Sequence, residues 1–156
     1  PPQAGRMAFM PMHKGMDAFL SDEHYARFYW PYLLRFVDAW VEAGVIPYVY
    51  TEAKYGTRLK FLRELPKGKT VVHFEDVDPL TAKKALGDVA CISGFYPARL
   101  LTHGTKRQVI DKAKEIMDIC APGGGFIFGS TNSVQFGANT DNYLRALDIV
   151  REKGNY

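Results

Sequence analysis

Five short, almost continuously apolar runs, each followed by a helical segment, dominate this chain of 156 residues. They are Met7 to His13, Val45 to Thr51, Thr70 to Phe74, Val89 to Ser93 and Gly125 to Gly129. Strands that face water on one side alternate apolar with polar residues, whereas continuous apolar runs belong to strands covered on both faces. Strand alternating with helix implies a parallel sheet with right-handed crossovers, an α/β fold. An open doubly wound sheet and a segment of a closed barrel both satisfy this order. The dinucleotide-binding version of the open sheet lacks its fingerprint, because no Gly-x-Gly-x-x-Gly follows the first run.

The helices are marked by their ends. Ser21 is a natural N-cap, and Asp22 and Glu23 favour the positive end of a helix dipole. Phe28, Leu33, Phe36, Val37, Trp40 and Val41 then recur at helical spacing until Gly44. Asp78-Pro79 is a cap followed by a first-turn proline, opening a helix that stops at Leu86-Gly87. Thr105 with Gln108 has the form of a capping box ahead of Val109, Ala113, Ile116 and Met117. Asp141 starts a last helix carrying Leu144, Leu147 and Val150. The Tyr29-Trp30-Pro31 stretch and its aromatic neighbours read as packing between helix and sheet, and Gly123-Gly124-Gly125 as a helix-to-strand turn. A phosphate cradle would instead lie between a strand and the following helix.

Composition narrows the function classes. The chain is 47% hydrophobic and 24% charged, sufficient for one ordinary core. A net charge of +3 without a concentrated basic stripe argues against nucleic-acid binding. No apolar stretch approaches the ~20 residues needed to span a bilayer. Cys91 and Cys120 form no CxxC pair and read as reduced, buried thiols of a cytoplasmic protein. The chain opens Pro1-Pro2-Gln3, enters an apolar run at once, and is short against the ~250 residues of a full (β/α)₈ barrel. The expectation is one domain over residues 1–156, cut from something longer.

Ligands of parallel α/β sheets bind at the carboxyl ends of the strands. Residues at those ends are therefore the candidates: His13 and Lys14, Tyr50 and Glu52, His73 with Glu75 and Asp76, Ser93 through Tyr96, and Ser130 through Ser133. Glu52 and His73 offer the oxygen and nitrogen donors that zinc accepts. A buried lone histidine is also commonly satisfied by hydrogen bonds, and a glutamate past a strand by water. Lys14 is able to bind an anion. His13, Lys14, Tyr50, Tyr55, Tyr96 and Asn132 are the candidate substrate-binding residues, with Phe95 beside them. No Ser-His-Asp grouping is evident.

Several segments carry a family resemblance. Met12-His13-Lys14-Gly15-Met16-Asp17-Ala18-Phe19-Leu20-Ser21 and Phe28-Tyr29-Trp30-Pro31 are similar to the stretch after the fourth barrel strand of uroporphyrinogen-decarboxylase-like proteins. Leu65-Pro66-Lys67-Gly68-Lys69, Ala82-Lys83-Lys84-Ala85-Leu86-Gly87-Asp88 and Pro122-Gly123-Gly124-Gly125-Phe126-Ile127 continue it in the same order. The resemblance implies the C-terminal part, strands four to eight, of a (β/α)₈ barrel.

Within that superfamily, Met12 stands where the decarboxylase has a serine, and Asn132 where it has a histidine. Tyr50-Thr51-Glu52 replaces the His-x-Cys zinc pair of the thiol-directed methyltransferases. The resemblance is closer to the corrinoid-dependent O-demethylase methyltransferases, whose zinc motif includes a glutamate and a histidine spaced as Glu52 and His73 are, with twenty residues between them. Val37 stands where that motif has a further glutamate, leaving a third ligand to His13 or to a residue outside the chain. The implied function is zinc-dependent transfer of a methyl group from a small aromatic ether or amine to a corrinoid protein. Zinc on Glu52 and His73 would act as a Lewis acid, with the corrinoid carried by the partner. Two rivals stand beside it. One is a tetrapyrrole carboxy-lyase, for which Arg58 and Arg99 are the candidate anion binders. The other is a non-catalytic half-barrel that pairs with the missing N-terminal half or with a second copy as a homodimer.

Overall fold

The computed structural model describes residues 5–154; Pro1-Pro2-Gln3 lies outside them. In chain order the elements are β1 (Arg6–Pro11), α1 (Asp22–His24), a π-helical turn (Tyr25–Tyr29), α2 (Trp30–Glu42), β2 (Val45–Lys54), α3 (Leu59–Leu62) and β3 (Val71–Asp76). They continue with α4 (Pro79–Leu86), β4 (Cys91–Tyr96), α5 (Ala98–His103), α6 (Lys106–Cys120), β5 (Phe126–Ser130) and α7 (Thr140–Lys153). The five strands form one parallel sheet in the order β1-β2-β3-β4-β5. Neighbouring strands in space are neighbours in sequence, as in a barrel wall. The expected α/β class and the consecutive parallel order are what the molecule shows.

The end signals act as their chemistry requires. Ser21 accepts from the amide of His24, and Asp78 from that of Thr81. Thr105 and Gln108 make a reciprocal capping box. The last helix begins one residue before Asp141, at Thr140, because Asn139 is its cap. Strand bounds shift more. β1 ends at Pro11, leaving Met12 and His13 beyond it, while β2, β3 and β4 each run two or three residues past their apolar stretches to include Glu52, Glu75 and Tyr96. Two short helices, α3 and α5, carry no clear periodicity of their own.

The two faces of the sheet differ. Val49, Val72, Phe74 and Ile92 are fully buried beneath the helices, with Val37 of α2, Leu86 of α4 and Val109, Ala113 and Ile116 of α6. Each such side chain stabilises by ~1.5–3 kcal/mol relative to exposure. On the other face Met7, Phe9 and Ile127 are exposed. The expectation of strands covered on both sides is met on the helix side alone. Cys120 is buried and Cys91 partly so; both are free thiols. The aromatic helix is likewise mixed, since Tyr25 and Trp30 are buried but Phe28, Tyr32 and Phe36 are exposed. Among the described residues no helix is long and apolar enough to cross a membrane.

Candidate functional site

Strand register fixes which side chains meet on the open face. Pro11 pairs with Tyr50, Tyr50 with His73, His73 with Ser93 and Ser93 with Ile127, a single row across the whole sheet. Residues in register on parallel strands point the same way. Tyr50 and His73 of this row, with Tyr48, Glu52 and Glu75 from the same strands, line a cleft of about 660 Å³ that is also bounded by Phe9 and by Gly129, Ser130, Asn132 and Ser133.

His73 sits at the centre and is buried. Its Nε2–H donates to the Thr131 carbonyl at 3.1 Å. A carbonyl only accepts, so Nδ1 is the bare nitrogen, and the Tyr48 hydroxyl donates to it at 2.8 Å. Burial, the largest influence, lowers the pKa of the imidazole below the usual 6.5, with the Thr131 bond opposing. The Tyr50 ring stacks on His73 with centroids 4.5 Å apart and planes 10° apart. The Tyr50 hydroxyl donates to Glu75 at 2.8 Å, and the Ala53 amide donates to the other Glu75 oxygen at 2.8 Å. Burial first, then the adjoining Glu75, raises the Tyr50 pKa and keeps it a phenol.

That Ala53 amide is aimed by a distortion of β2. The register slips between Thr51 and Lys54, one extra residue on β2, and Ala53 adopts φ 55°. Lys14 (φ 63°) after β1 and Phe95 (φ 73°) in β4 also occupy the left-handed region. All three lie at the carboxyl ends of their strands. Strained non-glycine backbone concentrates at functional sites.

Of the substrate-binding candidates, Tyr50 and Asn132 line the cleft. His13 is at its edge, exposed, donating through Nδ1 to the Glu52 carboxylate. Lys14 turns away, its ammonium 4.9 Å from the Phe19 ring centre. Tyr55 and Tyr96 do not reach the cleft. Tyr55 lies past the end of β2 and is fully buried with its hydroxyl on the Met12 carbonyl, and Tyr96, in step with Ile92 along β4, packs under the helices on the Val109 carbonyl. Burial pushes the Tyr96 phenol up to about 12. Arg58, a candidate anion binder, is fully buried and donates to Gly15, Leu20 and Asp22, while Arg99 is exposed beside a second cavity. Sequence reading missed Tyr48 and underused Glu75; the signal for both was position on the open face in step with His73.

The two expected zinc ligands, Glu52 and His73, share this cleft. Their donor atoms are committed elsewhere, Glu52 to His13 and both His73 nitrogens to Tyr48 and Thr131. Among the described residues no three His, Cys, Asp or Glu side chains are placed to hold one ion. As arranged, this donor set does not fit a zinc ion, which needs three protein ligands.

A family model described as uroporphyrinogen decarboxylase (URO-D) matches residues 7–153. A curated relative, a uroporphyrinogen decarboxylase of Anaeromyxobacter dehalogenans (strain 2CP-C), is 26% identical over 135 residues, covering 86% of this chain and 38% of the relative. The chain thus spans well under half of that relative's length.

Proposed function

The chain belongs to the uroporphyrinogen decarboxylase family, and from that premise we propose that its cleft holds a small methylated aromatic ether or amine and presents the methyl group for transfer to a corrinoid on a partner protein. The observation that carries this reading is the cleft's charge. Its lining contains Glu52 and Glu75, the rings of Phe9, Tyr48 and Tyr50, and, among the described residues, neither lysine nor arginine. A porphyrinogen bearing acetate and propionate arms would meet the Glu75 carboxylate, which only neutral donors hold, beside a Glu52 already paired with His13. A neutral or cationic aromatic donor would meet ring faces and hydrogen-bond acceptors.

In this reading Phe9, Tyr48 and Tyr50 exclude water and orient the substrate ring. His73 holds the Tyr48 hydroxyl in place, and Asn132 borders the cleft from the segment after β5. The corrinoid would supply the nucleophile.

The test is methylation of a reduced corrinoid protein by the full chain with aryl methyl ethers and methylated amines, run beside porphyrinogen decarboxylation. Carbon dioxide release from the porphyrinogen with no corrinoid methylation would overturn the proposal. Metal content measured on the same samples separates the zinc version: stoichiometric zinc lost on Glu52→Ala and His73→Ala would restore both residues as ligands.

A second reading concerns assembly. β1 and β5 are the two edges of the sheet, and the face bearing Met7, Phe9 and Ile127 is exposed. We infer that a further part of the barrel, or a second copy, pairs with these edges and leaves the cleft, Phe9 included, open to ligand. Size-exclusion chromatography of the 156-residue chain should show association, and a monomer at high concentration would refute it.

A further inference from the structure

We propose that the methyl donor held in this cleft is a quaternary ammonium, bound between the aromatic wall and Glu75. The proposal deepens the methyl-transfer reading and rests on it for the fate of the ligand, though not for its recognition.

The wall is three aromatic rings on two adjacent strands. Phe9 lies 6.1 Å from Tyr48 and 5.5 Å from Tyr50, centre to centre. Phe9 is 61% exposed, so a face of this wall is free to a ligand. A cation within about 6 Å of such a ring is attracted by the negative face of its π system, more strongly once water is excluded. Tyr50 cannot turn that face into a phenolate, because its proton is fixed between Glu75 and the Thr131 carbonyl, with hydroxyl distances of 2.8 and 3.2 Å.

Glu75 supplies the charge. Both of its oxygens accept from neutral donors, the Tyr50 hydroxyl and the Ala53 amide. Those bonds fix the carboxylate's orientation without cancelling its negative charge. Glu52, by contrast, is paired with His13. The neighbouring cavity that shares Glu75 carries Asp76 and Asp78 against Arg99 and Lys112, two acids and two bases, and so adds no net compensation. An ammonium with methyl groups in place of hydrogens cannot donate hydrogen bonds, and rings plus a fixed carboxylate are the surroundings it favours.

The same choice suits the chemistry of the cleft. When a nucleophile takes the methyl, its electron pair forms the new bond to carbon. The carbon–nitrogen pair stays on nitrogen, which leaves as a neutral tertiary amine. No proton is exchanged and no Lewis acid is needed to improve the leaving group. An ether oxygen would instead depart as an anion, toward Glu75.

Calorimetric titration of the full chain with phenyltrimethylammonium and its neutral isostere tert-butylbenzene tests recognition. The cation should bind about tenfold more tightly. Glu75→Gln, which keeps an acceptor for the Ala53 amide, should remove about that tenfold preference and leave the isostere unchanged. Phe9→Leu, at an exposed site that does not threaten folding, should weaken the cation severalfold and not the isostere. Equal affinity of the two probes, or a cation preference undiminished by Phe9→Leu, overturns the proposal. Ammonium binding without corrinoid methylation would sink the methyl-transfer reading alone. Methylation from an aryl ether without ammonium binding would sink this inference alone.

Discussion

The hydroxyl of Tyr48 donates to Nδ1 of His73 at 2.8 Å, from the strand next door, and in doing so satisfies the only bare nitrogen of a buried imidazole. The Ser93 hydroxyl stands 3.4 Å from the same nitrogen, too far to replace it well. Tyr48→Phe should therefore destabilise the chain by about 1–2 kcal/mol, the cost of a buried acceptor left without a donor. Urea unfolding of the variant measures it, and an unchanged midpoint would show that Ser93 or water takes over.

Gly94 keeps His73 in place from the other side. It has φ 99°, and a Cβ there would fall 2.4 Å from the Phe74 carbonyl and 3.1 Å from the imidazole ring. Gly94→Ala should cost about 2–3 kcal/mol through backbone strain and should also displace the ring. The two effects separate by measurement: a lowered melting temperature reports the strain, and a shifted His73 imidazole resonance reports the displacement.

Arg58 is a structural residue. Its guanidinium lies over the Tyr25 ring at 4.5 Å and donates to the Gly15 and Leu20 carbonyls and to Asp22. Replacing it by alanine strands the Gly15 and Leu20 carbonyls and empties a fully buried site, though Asp22 keeps Lys60, and should cost about 3 kcal/mol. Arg58→Lys should recover only part of this, because an ammonium cannot reproduce the planar fork. Equal stability of the lysine variant and the parent in chemical denaturation would contradict the assignment.

Asp78 links stability to acid. Its carboxyl is held below the ordinary 3.8, first by the Thr81 hydroxyl and then by the Thr81 amide. The unfolded chain takes up the proton first, so this contribution is complete above about pH 3.8 and is lost as pH falls through the lower folded value. Asp78→Ala should cost about 1 kcal/mol at neutral pH, as loss of an N-cap does. Denaturation curves of parent and variant should converge in acid; a constant gap would rule the cap out as the cause.

Much of this architecture is legible in the residues. Asp78-Pro79 and Thr105 with Gln108 announce their helices because capping is local chemistry, settled within a single turn. The parallel order follows from the alternation of strand and helix. The candidate site is legible as a place, the carboxyl ends of the strands, and Tyr50, Glu52, His73 and Asn132 do meet there. Its wiring is not. The acceptor for His73 is a backbone carbonyl at Thr131, far along the chain, and a carbonyl has no signature in sequence. Tyr96 follows Ile92 onto the helix side of β4 and Tyr55 lies beyond the end of β2, while the left-handed backbone at Ala53 and Phe95 is a conformation that neither alanine nor phenylalanine advertises. Arg58 reads as an anion binder because burial of a guanidinium depends on carbonyls that only the folded loop at Gly15 and Leu20 presents.

The slip in β2 between Thr51 and Lys54 makes the spacing of this stretch as consequential as its composition. Removing one residue there would restore a regular ladder, take away the amide that steadies Glu75, and rotate the remainder of β2 to the opposite side of the strand. A length change of one residue at this point would therefore alter the acid wall of the cleft even where every side chain lining it is kept.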